Sequence, residues 1–258
     1  MGRYFKLFNM KKYFYILVLI AITSFACKKE ATLPQPVTFA RVKFADPFNI
    51  FASPNGPLLK VTYQDKDIDM QTDGSIVVLP GEGNFAFFNL ATGTKVLTKK
   101  LDINKDIIKT YVFFKPDPNL ERVELIENTQ STEPQPAEDH IKVKIANFAQ
   151  AVLGDRNIKI VFSQNDIPVD TIQTVGTDYT NGYSEMPRAF TIVRGQKRPV
   201  FMYAVSFLDE NNHPVLDGNG SPIISDFYSI NGKAIYTSFV RPNASGGSNL
   251  ETANLFED

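Results

Sequence analysis

The stretch FARVKFAD, residues 39–46, alternates apolar and charged side chains, with Val42 and Phe44 on one face and Arg41 and Lys43 on the other. Period-two alternation of this kind marks a strand buried on one face and wet on the other. The pattern returns as IKVKIAN at 141–147, where Ile141, Val143 and Ile145 oppose Lys142 and Lys144. Further blocks match in the same order: LKVTYQDKDI at 59–68 with IKIVFSQNDI at 158–167, and DINKDIIKTYVFFKP at 102–116 with SINGKAIYTSFVRP at 229–242. A Pro-Gln-Pro segment precedes each copy, at 34–36 and 134–136. Matched blocks in one order point to an internal duplication.

Between the blocks lie short segments rich in β-branched and aromatic residues, punctuated by turn residues: SIVVLPGEG, NFAFFNLATGT, RAFTIVRG, PVFMYAVSFLDENN. A sustained helical period is absent after residue 26. The chain is therefore expected to be all-β, two consecutive antiparallel sandwiches of immunoglobulin-like or transthyretin-like kind. The expected bounds are 39–127 for the first sandwich, 128–139 for a linker and 140–243 for the second, with 244–258 a flexible tail or a terminal strand. The second copy is longer between its second and third blocks, at 174–222, where added loops or a hairpin are the usual carriers of function.

Residues 1–12 carry Arg3, Lys6, Lys11 and Lys12 and no acid, and residues 13–26 run YFYILVLIAITSFA. That apolar run is shorter than the roughly 20 residues a spanning helix needs, so it reads as an export signal. Cys27, the single cysteine, follows directly in SFACKKE. A lone cysteine has no intrachain disulfide partner. The arrangement resembles a bacterial lipoprotein signal, which implies cleavage before Cys27, lipidation of Cys27 and a tether over 27–38. Ser24 and Phe25 depart from the usual Leu and small residues of such signals. More than one acyl chain, at about 0.8 kcal/mol per buried CH₂, gives a stable anchor. The expected location is the outer membrane, on its periplasmic or its outer face.

A net charge of −1 sets no basic face against nucleic acid, and no nucleic-acid partner is expected. Within the first copy, Ser53-Pro54-Asn55-Gly56-Pro57 followed by Lys60-Val61-Thr62-Tyr63 resembles the Ser-Pro-Asp-Ala-Pro and Val-Asp-Val-Tyr hallmark of a domain-of-unknown-function family found in secreted and lipid-anchored bacterial proteins. The second copy lacks the proline pair. That resemblance implies a β-sandwich with no established catalytic role.

His140 and His213 are too few for a histidine-rich metal site, and no Gly-x-Ser-x-Gly elbow accompanies them. Glu82, Glu185 and Glu210 could pair as acid and base, as could acids in any loop. Asp65, Asp67 and Asp69 alternate, but Met70 and Ile76 stand where an EF-hand requires Gly and Glu. Asp209, Asp217, Asn219 and Asp226, around DENNHPVLDGNGSP, supply the oxygen ligands calcium takes, and are equally the ordinary residues of hairpin turns, the preferred reading. Aromatics give the remaining lead: Phe48 and Phe51 in DPFNIFASPNGP, and Tyr179 and Tyr183 in TDYTNGY, are candidates for contact with a glycan or protein ligand. For the Phe pair, plugging the end of a sandwich is the favoured alternative. Neither a catalytic residue nor a cofactor is expected. The function read from the sequence is a non-catalytic, lipid-anchored cell-envelope protein that binds or presents something, accessory to nutrient capture or a surface assembly. The alternatives are a glycan-binding lipoprotein of an uptake system, against which the absence of Trp counts, and a pilus-like subunit that exchanges strands.

Overall fold

A computed structural model describes residues 37–256 except 52–57, 155–156, 201, 231–232 and 245–248. Cys27, the export signal, residues 28–36 of the tether and Ser53 to Pro57 of the hallmark lie outside the described residues.

The alternating stretches become β1 (Ala40–Ala45) and β9 (His140–Asn147). The first copy continues with β2 (Leu59–Tyr63), β3 (Lys66–Ile68), β4 (Ser75–Val78), β5 (Gly81–Asn89), β6 (Lys95–Ile103), β7 (Lys109–Phe114) and β8 (Glu124–Glu127). The second has β10 (Ile158–Gln164), β11 (Ile167–Val175), β12 (Ser184–Pro187), β13 (Phe190–Val193), β14 (Gln196–Pro199), β15 (Met202–Leu208), β16 (Ile224–Tyr228), β17 (Ile235–Pro242) and β18 (Leu250–Asn254). A one-turn helix, α1 (Gln150–Leu153), follows β9.

Each copy is a sandwich of two four-stranded sheets, and the strand orders match one for one. In the first copy they run β4-β1-β7-β8 and β3-β2-β5-β6; in the second, β12-β9-β17-β18 and β11-β10-β15-β16. The β13–β14 hairpin is the second copy's addition, a sheet of its own within the region of extra length. Both copies turn from their second to their third strand on two residues of positive φ, Gln64 and Asp65 in one and Asn165 and Asp166 in the other. That is the geometry whose twist suits a two-residue hairpin. One expectation needs correction. The sheets are not wholly antiparallel, because β1 pairs in parallel with β7, and β9 with β17. Parallel neighbours require a crossover, and here the intervening strands, which build the opposite sheet, supply it.

Alternation sends Val42 and Phe44 inward against Phe85, Phe87, Tyr111 and Phe113. These rings meet largely edge to face, Phe44 to Phe87 at 5.1 Å and Phe87 to Phe113 at 5.1 Å, the geometry their quadrupoles prefer. In the second copy Ile141, Val143 and Ile145 pack with Phe162, Tyr203, Phe227 and Tyr236. The hydroxyls of these two tyrosines find partners: Ala189 N–H donates to Tyr203 at 3.1 Å, and Ile230 N–H to Tyr236 at 3.0 Å.

A third cluster joins the copies. Val112 and Phe114 on β7 face away from their own core and pack with Phe239 of β17 and with Leu255 and Phe256 beyond β18. Phe114 and Phe239 lie 4.7 Å apart, and the Arg241 guanidinium sits 4.9 Å over Phe239. From Phe39 on, the chain is thus one compact unit built of two sandwiches. Residues 244–258, expected as tail or strand, contain the paired strand β18, whose partner is β17 of the same chain.

Candidate functional site

The segment between the copies is docked onto the second sandwich. Lys142 and Lys144 point to the polar side of β9, as alternation requires, and there they meet this segment. Lys142 Nζ donates to Glu133 Oε1 at 2.7 Å and to the Pro134 carbonyl at 2.8 Å. Lys144 Nζ donates to Thr129 Oγ1 at 2.9 Å and lies 4.7 Å over the Tyr183 ring. Burial is the main cause holding the Lys144 ammonium below the usual lysine pKa, opposed by Glu133 and Glu127. The Tyr183 hydroxyl bridges Thr129 Oγ1 at 3.2 Å and Thr237 Oγ1 at 2.9 Å. Glu185 Oε1 accepts the Ala137 N–H at 2.8 Å. A 3₁₀ turn at Gln130–Thr132 completes the strap.

Where the strap crosses from one copy to the other it roofs an open cleft of about 540 Å³. One wall is Ile108 and Thr110 at the start of β7. The facing wall is Lys233, Ala234 and Ile235 at the start of β17, and Asn128, Gln130, Ser131 and Gln135 of the strap close it. Ile108 and Ile235 are equivalent in the repeat, since each precedes the residue that pairs with the matched valines Val42 and Val143. Among the described residues, no acidic side chain lines the cleft. Lys233 Nζ and Gln130 Nε2 are buried and have no hydrogen-bond partner among the described residues.

Of the aromatic candidates, Tyr179 and Tyr183 come together around Lys144, whose ammonium is 5.9 and 4.7 Å from their rings, and Phe48 shares the joining cluster with Tyr179, while Phe51 stands apart. Phe51 is only 3 % exposed and plugs the first core against Phe113 at 5.0 Å. Phe48 lies in the seam, 5.8 Å from Phe239. Tyr179 packs at the same seam, 6.0 Å from Phe148, and Tyr183 serves the strap. Phe48, Phe51 and Tyr179 are used in packing, and the Tyr179–Tyr183 pair encloses Lys144. Burial above all raises the Tyr179 pKa well above the ordinary tyrosine value.

The calcium candidates do turn work. Asp209 Oδ1 accepts the N–H groups of Asn211 and His213, each at 2.9 Å, and Asp217 Oδ1 those of Asn219 at 2.8 Å and Ser221 at 2.9 Å. Asn212 and Gly220, at the same place in each turn, have positive φ. The segment is an eight-residue motif used twice, Asp-x-Asn-x-x-Pro followed by two apolar residues, and each use sends one apolar residue into the core, Val215 and Ile223. Asp226 stands exposed on β16. Among the described residues, no group of three or more His, Cys, Asp or Glu is arranged to hold a metal ion. His140 Nδ1 is 3.0 Å from the Glu138 carbonyl, and His213 Nδ1 is 3.8 Å from Asp209. Glu82 pairs with Lys100 at 2.6 Å in the first copy, whereas Glu185 lies on β12 of the second and holds the strap.

No family model matches the chain, and no curated protein matches it. Three of the solved structures similar to it are described as binding or recognising glucans. A family 41 carbohydrate-binding module of streptococcal virulence factors, described as recognising α-glucan, has 12 % identity over 84 % of this chain and 96 % of its own, with a TM-score of 0.25. An α-glucan-binding streptococcal virulence factor has 14 % identity over 86 % and 99 %, TM-score 0.26. A family 26 module from Eubacterium rectale, solved with maltoheptaose, has 10 % over 85 % and 98 %, TM-score 0.24. Likeness at that level does not say what this chain binds.

Gln130, Lys233, Ile108 and Ile235 were not singled out by sequence reasoning. Their signal is weak because it is distributed: each copy gives one isoleucine at the mouth of its parallel strand, and only the packing of the copies sets the two opposite each other.

Proposed function

We propose that this chain is a non-catalytic binding protein of the cell envelope, held to the outer membrane by lipid on Cys27. The observation that carries the binding half is the cleft at the joint of the copies, a concave site walled by β-strands from both sandwiches. Sites of about 300–1,000 Å³ at such junctions are where small ligands settle. A basic leader, a short apolar run and a cysteine directly behind it support the anchor. A role as pilus subunit has less support, because β18 already occupies a place in its own sheet and Leu255 and Phe256 are buried with it.

Mass spectrometry of the N-terminus of the protein made in a Gram-negative host, with Cys27→Ala as control, tests the anchor. An N-terminus at an acylated Cys27, lost in the variant, is the expected result; an unmodified thiol refutes the anchoring. Protease shaving of intact cells then assigns the face: digestion puts the protein outside, and protection puts it in the periplasm.

A further inference from the structure

We infer that the β13–β14 hairpin is a lipid-contacting finger, which seats its apolar tip in an anionic membrane surface and sets its arginines against the headgroup phosphates. This rests on the reading of the chain as a membrane-anchored envelope protein and adds a second contact, built of the folded chain itself.

The hairpin belongs to the second copy alone and forms a two-stranded sheet of its own. Its base is fixed. Ala189, before β13, is buried in the second core, Val200, after β14, packs against that core, and Val200 N–H donates to the Ala189 carbonyl at 2.9 Å. Its tip is exposed: Ile192 is 69 % and Val193 44 % exposed. Consecutive residues of a strand point to opposite faces, so the ribbon ends apolar on both sides. A groove in a protein covers one face of such a ribbon, whereas acyl chains close around both.

Charge separates this tip from other exposed apolar positions. Ile167, equally exposed at 69 %, follows Asp166 in its turn, and single exposed apolar residues of that kind are ordinary. Residues 186–208 instead hold Arg188, Arg194, Lys197 and Arg198 and no Asp or Glu, in a chain of net charge −1. Arg194 and Arg198 are exposed. Arg194 also takes the first central position of the turn, at φ +53°, with Gly195 behind it at +73°. Such turns favour Asn, Asp or Gly at that position, so the cation at the tip answers to something outside the fold. Arginine suits phosphate, and its stem can lie along apolar surface while the guanidinium stays at headgroup level. Two apolar residues and a few cations make a weak contact alone, one that becomes effective once lipid on Cys27 holds the chain at the surface.

The chain from Lys28 to Asp258, which carries the whole compact unit from Phe39 on and lacks Cys27, is floated with vesicles at millimolar lipid. Vesicles of equal parts phosphatidylglycerol and phosphatidylcholine should carry it up the gradient, and vesicles of phosphatidylcholine alone should not. Arg194→Gly and Arg198→Gln should each weaken that binding about fivefold, with Ile192→Ser acting in the same direction. Arg194→Gly installs a residue the turn favours, so its loss of binding is not a loss of fold. Because the chain has no tryptophan, Ile192→Trp gives a single reporter. Its emission should shift to the blue on mixed vesicles and be quenched by brominated acyl chains, and that of Ile167→Trp should do neither. The inference is overturned by absence of flotation with mixed vesicles, by equal flotation with neutral ones, by arginine variants that bind as the wild type does, or by an Ile192→Trp indole that stays unquenched while the chain is bound. Capture of poly-L-glutamate without uptake by vesicles would assign the hairpin to an acidic protein partner and overturn it as well. Acylation of Cys27, measured on the full-length protein, reports on the anchor independently of the hairpin.

Discussion

At the scale of single residues, Gly74 shows how tightly the first sandwich closes. Its φ is +78°, and a Cβ there would fall 2.1 Å from the Phe44 carbonyl oxygen, inside the backbone of β1. Gly74 and Phe44 are also hydrogen-bonded, Phe44 N–H to the Gly74 carbonyl at 2.9 Å, so the backbones cannot part without losing a bond. Gly74→Ala should cost about 2–4 kcal/mol, from about 1 kcal/mol for the left-handed conformation and about 1–3 kcal/mol for overpacking. Urea unfolding measures this; a loss below about 0.5 kcal/mol, the range of inert surface changes, would mean that the loop yields freely. The tyrosines give a prediction in pH. Burial is the first cause raising the pKa of Tyr111, Tyr179, Tyr203 and Tyr236, with Glu127 adding to Tyr111. Below pH about 10 these hydroxyls are protonated whether the chain is folded or not, and they impose no pH dependence. Above it the unfolded chain ionises first and binds fewer protons than the native one, so stability falls as pH climbs toward the raised values. Absorbance near 295 nm should therefore show a group of tyrosines ionising late and together with loss of near-ultraviolet dichroism. Smooth titration of every tyrosine near pH 10 with the fold intact would contradict that burial.

At the scale of elements, the repeated aspartate turns are the clearest case of loop chemistry that looks like a metal site and acts as a brace. Hydrogen bonds from the Ser221 and Asn219 backbones hold the Asp217 carboxyl below the usual aspartate range. A depressed carboxylate contributes stability that is present above its unfolded pKa of about 3.9 and is lost as pH falls through the folded value. Asp217→Ala should lower the thermal midpoint at neutral pH, and the difference from wild type should shrink below pH about 3.9. Calcium and EDTA should leave the wild-type midpoint unchanged; a rise with calcium would restore the ligand reading of Asp209, Asp217 and Asn219. The strands differ in how plainly they could be read. β1 and β9 announce themselves because one face is core and the other polar. In β7, Tyr111, Val112, Phe113 and Phe114 are all buried. An unbroken apolar run is what a strand covered on both faces looks like. That run was visible in KTYVFF, but what covers its second face is a strand of the other copy, which no local pattern identifies. The parallel pairing escaped for the same reason, since register between β1 and β7 is set by tertiary packing and not by a turn.

At the scale of the whole molecule, duplication was legible and the joining of the copies was not. Proline-containing segments between repeats read as spacers, and the one at 128–139 is instead strapped down by Lys142, Lys144 and Glu185. The consequence is mechanical: the cleft keeps its shape only while the seam holds the copies in place. Phe239 is the test position, since it is fully buried, lies 4.7 Å from Phe114 of the other copy and belongs to the joining cluster rather than to either sandwich core. Truncating such a phenylalanine costs about 3–5 kcal/mol. Because the loss falls on the seam, Phe239→Ala should change cooperativity as well as midpoint. Calorimetry of the wild type should give one transition with calorimetric and van't Hoff enthalpies equal, and the variant should give two. Two independent transitions already in the wild type would mean that the seam does not couple the sandwiches, and a cleft built from both could not then be preorganised.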